Sequence, residues 1–151
     1  MSDGGGHVND EALIRRLLTT PATWAVVGLS SNRMRTAYGV AAWMRTALGL
    51  RLVPVNPRGE GVFDEAGFRS LAAVPDGEPV AVVDCFVNSR RAGEIVDQAI
   101  DERDRLGIGA VWLQLGVVDE AAAARARAAG LVVVMDTCPH IEATRLGIAP
   151  A

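Results

Sequence analysis

Lysine is absent from this sequence, so all 15 of its basic residues are arginines. A catalytic Schiff base on a side chain and the phosphate-binding lysine of a P-loop are therefore excluded. Cysteine and histidine are also scarce, because the chain carries only Cys85, Cys138, His7 and His140. The two cysteines lie too far apart for a zinc-binding motif, and no metal site is expected.

Long hydrophobic runs and an excess of positive charge are missing as well. No apolar run approaches the roughly 20 residues that span a bilayer. The N-terminal sequence MSDGGG has neither the basic nor the apolar region of a signal peptide, so we expect a cytoplasmic protein. The formal net charge of −3 argues against a general surface for nucleic acid or anionic membranes.

Apolar residues are abundant and occupy 50% of the 151 positions. This composition excludes a disordered chain, and the length fits one hydrophobic core. We predict an N-terminal lead and short helix over residues 1–20, followed by a single domain over 21–151. Residues 1–9 are expected to form a flexible lead, and Asn9 or Asp10 to cap a helix that ends before Pro21.

Short apolar runs alternate with amphipathic segments along the rest of the chain. The predicted strands are 24–28, 51–55, 80–87, 109–115 and 131–135. The predicted helices are 37–48, 89–106 and 119–129, with a final helical turn at 140–147. Strands that are apolar along their whole length indicate a parallel sheet covered on both faces. The sequence therefore predicts an α/β fold, a Rossmann-like doubly wound parallel sheet of about five strands ordered 2-1-3-4-5, in three layers.

Ligands of such sheets bind beyond the carboxyl ends of the strands, where the strand order reverses. The loop after the first strand suits phosphate at that edge. Gly28 permits a tight turn, Ser30 and Ser31 offer hydroxyl groups, and the following helix presents unpaired N–H groups. Arg33 and Arg35 would each donate a pair of hydrogen bonds to phosphate oxygens. The alternative is a solvated loop with a serine that caps the helix.

A nicotinamide dinucleotide is disfavoured by two features. The glycine spacing G-x-G-x-x-G is missing after the first strand, and the second strand ends in Val55-Asn56-Pro57 instead of a ribose-binding carboxylate. Arg58 follows at a position suited to a ribose phosphate, which both NADP and coenzyme A carry. NADP therefore remains an alternative ligand.

Four stretches at the strand ends carry a family resemblance. They are VVGLS at 26–30, VPVNP at 53–57, WLQLGV at 112–117 and VMDTC at 134–138. In this order they resemble the stand-alone CoA-binding domain proteins, whose fold is that of the N-terminal domain of the succinyl-CoA synthetase alpha subunit. The resemblance covers residues 24–146.

The resemblance implies a coenzyme A site along one edge of the sheet, with the adenine bordered by the end of the third strand. Together with the two loop arginines, the implied contact residues are Gly28, Leu29, Ser30, Ser31, Arg33, Arg35, Asn56, Pro57, Arg58, Phe86, Val87, Asn88, Gln114, Leu115 and Gly116. Cys138 lies at the end of the fifth strand, where its thiol would meet the CoA thiol in a mixed disulfide or act as a packing residue. Cys85, inside a strand, is expected in the core.

The resemblance also bears on function. The synthetase holds its phosphorylated histidine in a second domain and its nucleotide site in another subunit, whereas this chain is expected to end at Ala151 before such a domain. We therefore expect a protein that binds CoA or acyl-CoA and is not catalytic on its own, as a homo-oligomer or with a partner enzyme subunit. The alternatives are a CoA-binding subunit of an acyl-CoA synthetase-like enzyme and an NADP-binding reductase.

Overall fold

Five parallel strands form the centre of the computed structural model, which describes residues 6–148. The strands are β1 Thr23–Val27, β2 Arg51–Val55, β3 Val82–Cys85, β4 Ala110–Leu113 and β5 Val132–Val134. Their order in the sheet is β2-β1-β3-β4-β5. The predicted α/β class, parallel sheet and strand order are confirmed.

Five α-helices between residues 6 and 148 connect and flank these strands, together with a short 3-10 helix at Leu71–Ala73. The α-helices are α1 Glu11–Thr19, α2 Thr36–Ala47, α3 Ser89–Leu106, α4 Glu120–Ala128 and α5 Pro139–Arg145. Side-chain caps fix three of the starts, because Asp10, Asn88 and Asp119 each accept a hydrogen bond from a backbone N–H of the first turn. Gly107, in the left-handed region at φ 78°, ends α3.

Alternate residues of each strand point to opposite faces of the sheet, and both faces are buried. On one face Val83 and Val111 pack against apolar residues of α3 and α4, such as Val96. On the other face Trp24 and Trp112 pack together beneath α1, α2 and α5, with ring centroids 5.6 Å apart and ring planes tilted by 39°. Helices on both faces make the three-layer arrangement that continuous apolar strands predict. No helix between residues 6 and 148 is long and apolar enough to cross a membrane.

The N-terminal segment is anchored at the outer edge of β5. The Asn9 side chain accepts a hydrogen bond from the Met135 N–H and donates one to the Met135 carbonyl, both at 2.9 Å. The backbone N–H of His7 donates to Glu120 at 2.7 Å. The prediction of a flexible lead is therefore wrong for residues 7–9, because polar side chains hold them. The start of that lead and the last residues of the predicted domain lie outside the described residues.

Candidate ligand-binding groove

The loop between β1 and α2 opens at the carboxyl edge of the sheet, where the strand order reverses between β1 and β3. Its first residue, Gly28, has φ +103° and donates its N–H to the Val55 carbonyl at 2.8 Å. A Cβ atom on Gly28 would collide with the carbonyl oxygen of Phe86. Only glycine lets the ends of β1 and β3 approach this closely in that backbone conformation.

Asn56 joins this loop to the loop that follows β2. Its side chain is buried and donates hydrogen bonds to the carbonyl oxygens of Leu29 and Glu60, each at 2.9 Å. Its amide oxygen accepts from the N–H groups of Glu60 at 2.9 Å and Arg58 at 3.2 Å. Both amide hydrogens and both oxygen lone pairs are therefore used, and the two loops are fixed relative to each other.

Two adjoining depressions lie over these loops and share the residues Ser30, Asn32, Asn56 and Pro57; together they are called the rim groove below. The first has a volume of about 340 Å³ and is also lined by Ser31, Arg58 and Glu60. The second has a volume of about 290 Å³ and is also lined by Gly28, Arg35, Phe86, Val87, Asn88 and Arg91. A larger depression of about 580 Å³ lies against residues 6–8 at the edge of β5, away from the strand-order reversal.

Three arginines border the rim groove against a single carboxylate, that of Glu60. Arg35 and Arg58 are exposed and form no ion pair within residues 6–148. Arg91, in the first turn of α3, only reaches Glu94 at 4.0 Å. Guanidinium groups that lack carboxylate partners in a concave site favour a ligand with several phosphate oxygens.

The carboxylate of Glu60 bonds directly to the β1–α2 loop. Both the N–H and the hydroxyl of Ser31 donate to Glu60 Oε1, each at 3.0 Å. These hydrogen bonds and the charge of Arg58 lower the pKa of Glu60. Glu60 was not predicted from the sequence, because a ligand-binding carboxylate was expected only at the very end of β2, where the chain has Asn56. Arg91 was missed as well, although the predicted start of α3 next to the groove was a signal for it.

Most residues predicted for the CoA site line the rim groove, but Arg33, Leu29 and three residues after β4 do not. Leu29 is fully buried in the core. Gln114 is buried and donates to Asp84 Oδ1 at 2.6 Å. Leu115 is 63% exposed, and Gly116 donates its N–H to Asp136 at 2.8 Å. The turn after β4 therefore borders this edge of the sheet without lining the groove.

Arg33 and Cys138 also lie outside the lining of the rim groove. Arg33 lies over the ring of Tyr38, 5.7 Å from its centroid. Arg33 and Tyr38 line a further depression of about 410 Å³ that adjoins the rim groove through Ser31. Cys138 precedes α5, is half-buried and is not among the residues that line the groove.

One buried carboxyl group lies beneath this edge of the sheet. Asp84, in β3, is fully buried, and Gln114 bonds its Oδ1 atom while Oδ2 has no partner. Burial raises the pKa of Asp84 to about 7, and the Gln114 hydrogen bond opposes this only in part. Burial likewise raises the pKa of the neighbouring Cys85 thiol, as expected of a core cysteine. Between residues 6 and 148, no three histidine, cysteine, aspartate or glutamate side chains converge into a metal site.

Several known proteins are similar to this chain over most of its length. A family model described as a CoA binding domain matches residues 22–144. An uncharacterized protein of Bacillus subtilis (strain 168), YneT, is 29% identical over 130 residues, which are 85% of this chain and 90% of that protein. A hypothetical protein from Pyrococcus horikoshii OT3 is 31% identical with a TM-score of 0.81, over 97% of this chain and 99% of that one.

A larger enzyme shares the fold alone. An acetyl-coenzyme A synthetase from Ca. Korarchaeum cryptofilum has 19% identity and a TM-score of 0.63. The match covers 80% of this chain but 27% of the enzyme chain.

Proposed function

The chain belongs to the CoA binding domain family, and from that premise we propose that it binds coenzyme A or an acyl-CoA in the rim groove. The observation that carries the proposal is the convergence of Arg35, Arg58 and Arg91 with the Ser31 donors on one groove. That groove lies where the strand order reverses, which is the ligand position of doubly wound sheets.

The phosphate groups of CoA determine its proposed orientation in the rim groove. In this arrangement the pyrophosphate of CoA rests on the β1–α2 loop and accepts hydrogen bonds from Ser31 and Arg35. Arg58, just beyond β2, binds the ribose 3′-phosphate. The adenine lies against Phe86 and Asn88 at the end of β3. Support comes from the exposed guanidinium groups and from the rigid link that Asn56 makes between the two loops.

The chain is proposed to hold CoA and not to transform it alone. Side chains that line the rim groove are serine, asparagine, proline, arginine, phenylalanine, valine and one glutamate. No histidine or cysteine is among these lining residues. The Ser31 hydroxyl does donate to Glu60, but the Ser31 N–H binds the same carboxylate oxygen, and no third side chain within residues 6–148 orients that carboxylate as the base of a catalytic triad would be oriented.

A second candidate function is that of a CoA-holding subunit within a larger acyl-CoA enzyme. The likeness to part of an acetyl-coenzyme A synthetase chain favours it. Purification of the chain from its native cells at low salt, followed by mass spectrometry, tests for a stoichiometric partner. A partner with a nucleotide-binding domain would support this candidate, and a chain that elutes alone or as a homo-oligomer would contradict it.

Calorimetric titration with CoA, NADP and NAD at one salt concentration tests the first proposal. We expect CoA to bind most tightly, because three arginines complement its pyrophosphate and 3′-phosphate. Matched salt is essential since phosphate contacts weaken as ionic strength rises. Tighter binding of NADP than of CoA would overturn the assignment.

A further inference from the structure

Several backbone N–H groups of the β1–α2 loop are used in hydrogen bonds within the protein. The N–H of Gly28 bonds to β2 and that of Leu29 to Val26. The N–H of Asn32 bonds to the Ser30 hydroxyl, and the N–H of Met34 to the Asn32 side chain. These hydrogen bonds shape the loop itself and would be lost only if it unfolded.

Ser31 differs from these residues. Its N–H and its hydroxyl both donate to one carboxylate oxygen of Glu60. That oxygen belongs to a flexible, partly exposed side chain, so rotation of Glu60 frees both donors without any change in the backbone. Two donors that converge on one oxygen anion are the arrangement that a phosphate oxygen also requires.

The backbone of Glu60, in contrast, is fixed. Its N–H and carbonyl both bond to the Asn56 side chain at 2.9 Å. A Cβ atom on Gly67 would collide with the Glu60 carbonyl oxygen, so the chain at Gly67 also packs tightly against the backbone of Glu60. The fixed backbone keeps the Glu60 carboxylate at the groove, where the charge of Arg58 acts on it.

We propose that Glu60 is an internal anion that occupies the phosphate position of the rim groove in the ligand-free chain and leaves it when a ligand phosphate binds. The identity of that ligand rests on the proposed function. Glu60 then acts as a specificity-determining residue. A ligand with several negative charges displaces it, whereas a neutral nucleoside or a small monocarboxylate does not gain enough from Ser31 and Arg58 to do so.

Inorganic pyrophosphate is the probe that tests this role without CoA. The protein labelled with ¹⁵N is titrated at low salt, and the Ser31 amide resonance is followed in wild type, Glu60→Gln and Glu60→Ala. We expect both variants to bind pyrophosphate roughly tenfold more tightly than wild type, because a bound anion no longer has to displace a charge-assisted pair. Adenosine should leave the Ser31 resonance in place in all three proteins.

Asp64→Asn is the matched control. Asp64 is an exposed carboxylate on the same loop with φ 63°, a conformation that asparagine tolerates. The substitution removes the same charge and should change the pyrophosphate affinity less than about twofold, because Asp64 is exposed to solvent and forms no hydrogen bond with Ser31. An equal gain in Asp64→Asn and Glu60→Gln would overturn the proposal, because only the net charge would then matter.

Two further results would overturn it: equal pyrophosphate affinity in wild type and Glu60→Gln, or a Ser31 amide that pyrophosphate shifts in none of the proteins. A parallel titration with CoA separates this inference from the proposed function. If pyrophosphate behaves as expected and CoA does not bind, the role of Glu60 stands and the CoA assignment fails. If CoA binds wild type and Glu60→Gln equally, the CoA assignment stands and the role of Glu60 fails.

Discussion

Replacement of Asp84 by asparagine should remove a pH dependence from the stability of this fold. Asp84 lies fully buried between Val26 and Trp112 of the adjacent strands, and its Oδ2 atom has no hydrogen-bond partner. An ionised carboxylate at this point loses its hydration and gains only the Gln114 hydrogen bond. The neutral acid is therefore favoured in the folded state, which agrees with the rise of its pKa to about 7.

The sign of the effect follows from proton linkage. An unfolded aspartate has a pKa of about 3.9, so the folded state binds a proton more tightly between roughly pH 4 and pH 7. The contribution of Asp84 to stability is then fully present below pH 4 and is lost as the pH rises through about 7. With about 1.4 kcal/mol per pKa unit, the complete loss is about 4 kcal/mol, of which about 2.5 kcal/mol falls between pH 5 and pH 8.

Urea unfolding at several pH values measures this effect, and the fluorescence of the buried Trp24 and Trp112 reports the transition. Asparagine keeps the oxygen that accepts from Gln114 but cannot ionise. The unfolding free energy of Asp84→Asn should therefore gain about 2.5 kcal/mol relative to wild type between pH 5 and pH 8. Asp101→Asn, an exposed carboxylate on α3, should show no such gain. Parallel curves for wild type and Asp84→Asn would refute the reasoning.

Three further predictions concern the groove and its edge. Arg58→Ala should weaken CoA about 10- to 150-fold and dephospho-CoA much less, because a charge-assisted phosphate contact is worth about 1.5–3 kcal/mol; equal losses in calorimetry would assign the 3′-phosphate to another arginine. Arg91→Ala should weaken CoA binding roughly tenfold. Arg90→Ala changes the preceding residue on α3, which does not line the groove, and should have little effect; similar losses would contradict a direct contact of Arg91. CoA disulfide should transfer one CoA to Cys138 with release of free CoA thiol, and dithiothreitol should reverse it; Cys85, whose thiol pKa burial raises, should not react. An adduct that persists in Cys138→Ser by intact-mass spectrometry, or none on wild type, would leave Cys138 as a packing residue.

The fold could be predicted from sequence because the signals were local and strong. Apolar strand segments and capped helices give the element order, and the handedness of the crossovers gives the sheet order. The strand ends were less accurate. The run predicted over 80–87 pairs as a strand only over Val82–Cys85. Phe86 still donates its N–H to the Val27 carbonyl at 2.8 Å, and Phe86 and Val87 then line the groove.

Only the part of the site that follows from the sheet topology could be predicted from the sequence. The loop from Gly28 to Arg35 follows from the strand order, since ligands bind where that order reverses. Glu60 could not be found in this way, because it reaches the groove across a loop whose path depends on tertiary contacts. Arg91 was missed although the predicted start of α3 at this edge was a signal for it. Gln114 was expected to face the ligand, but its partner in the structure is the buried Asp84, a long-range contact that sequence spacing does not reveal.

The central claim is that CoA lies in the rim groove, and amide spectra of the labelled protein titrated with CoA test it most directly. We predict that the largest shifts occur at Ser31, Arg58 and Asn88, on the three loops that line the groove, and that they saturate together. His7 and Leu131 lie at the β5 edge of the sheet, away from the rim groove. Shifts confined to these two residues would contradict the account. So would a spectrum that CoA leaves unchanged.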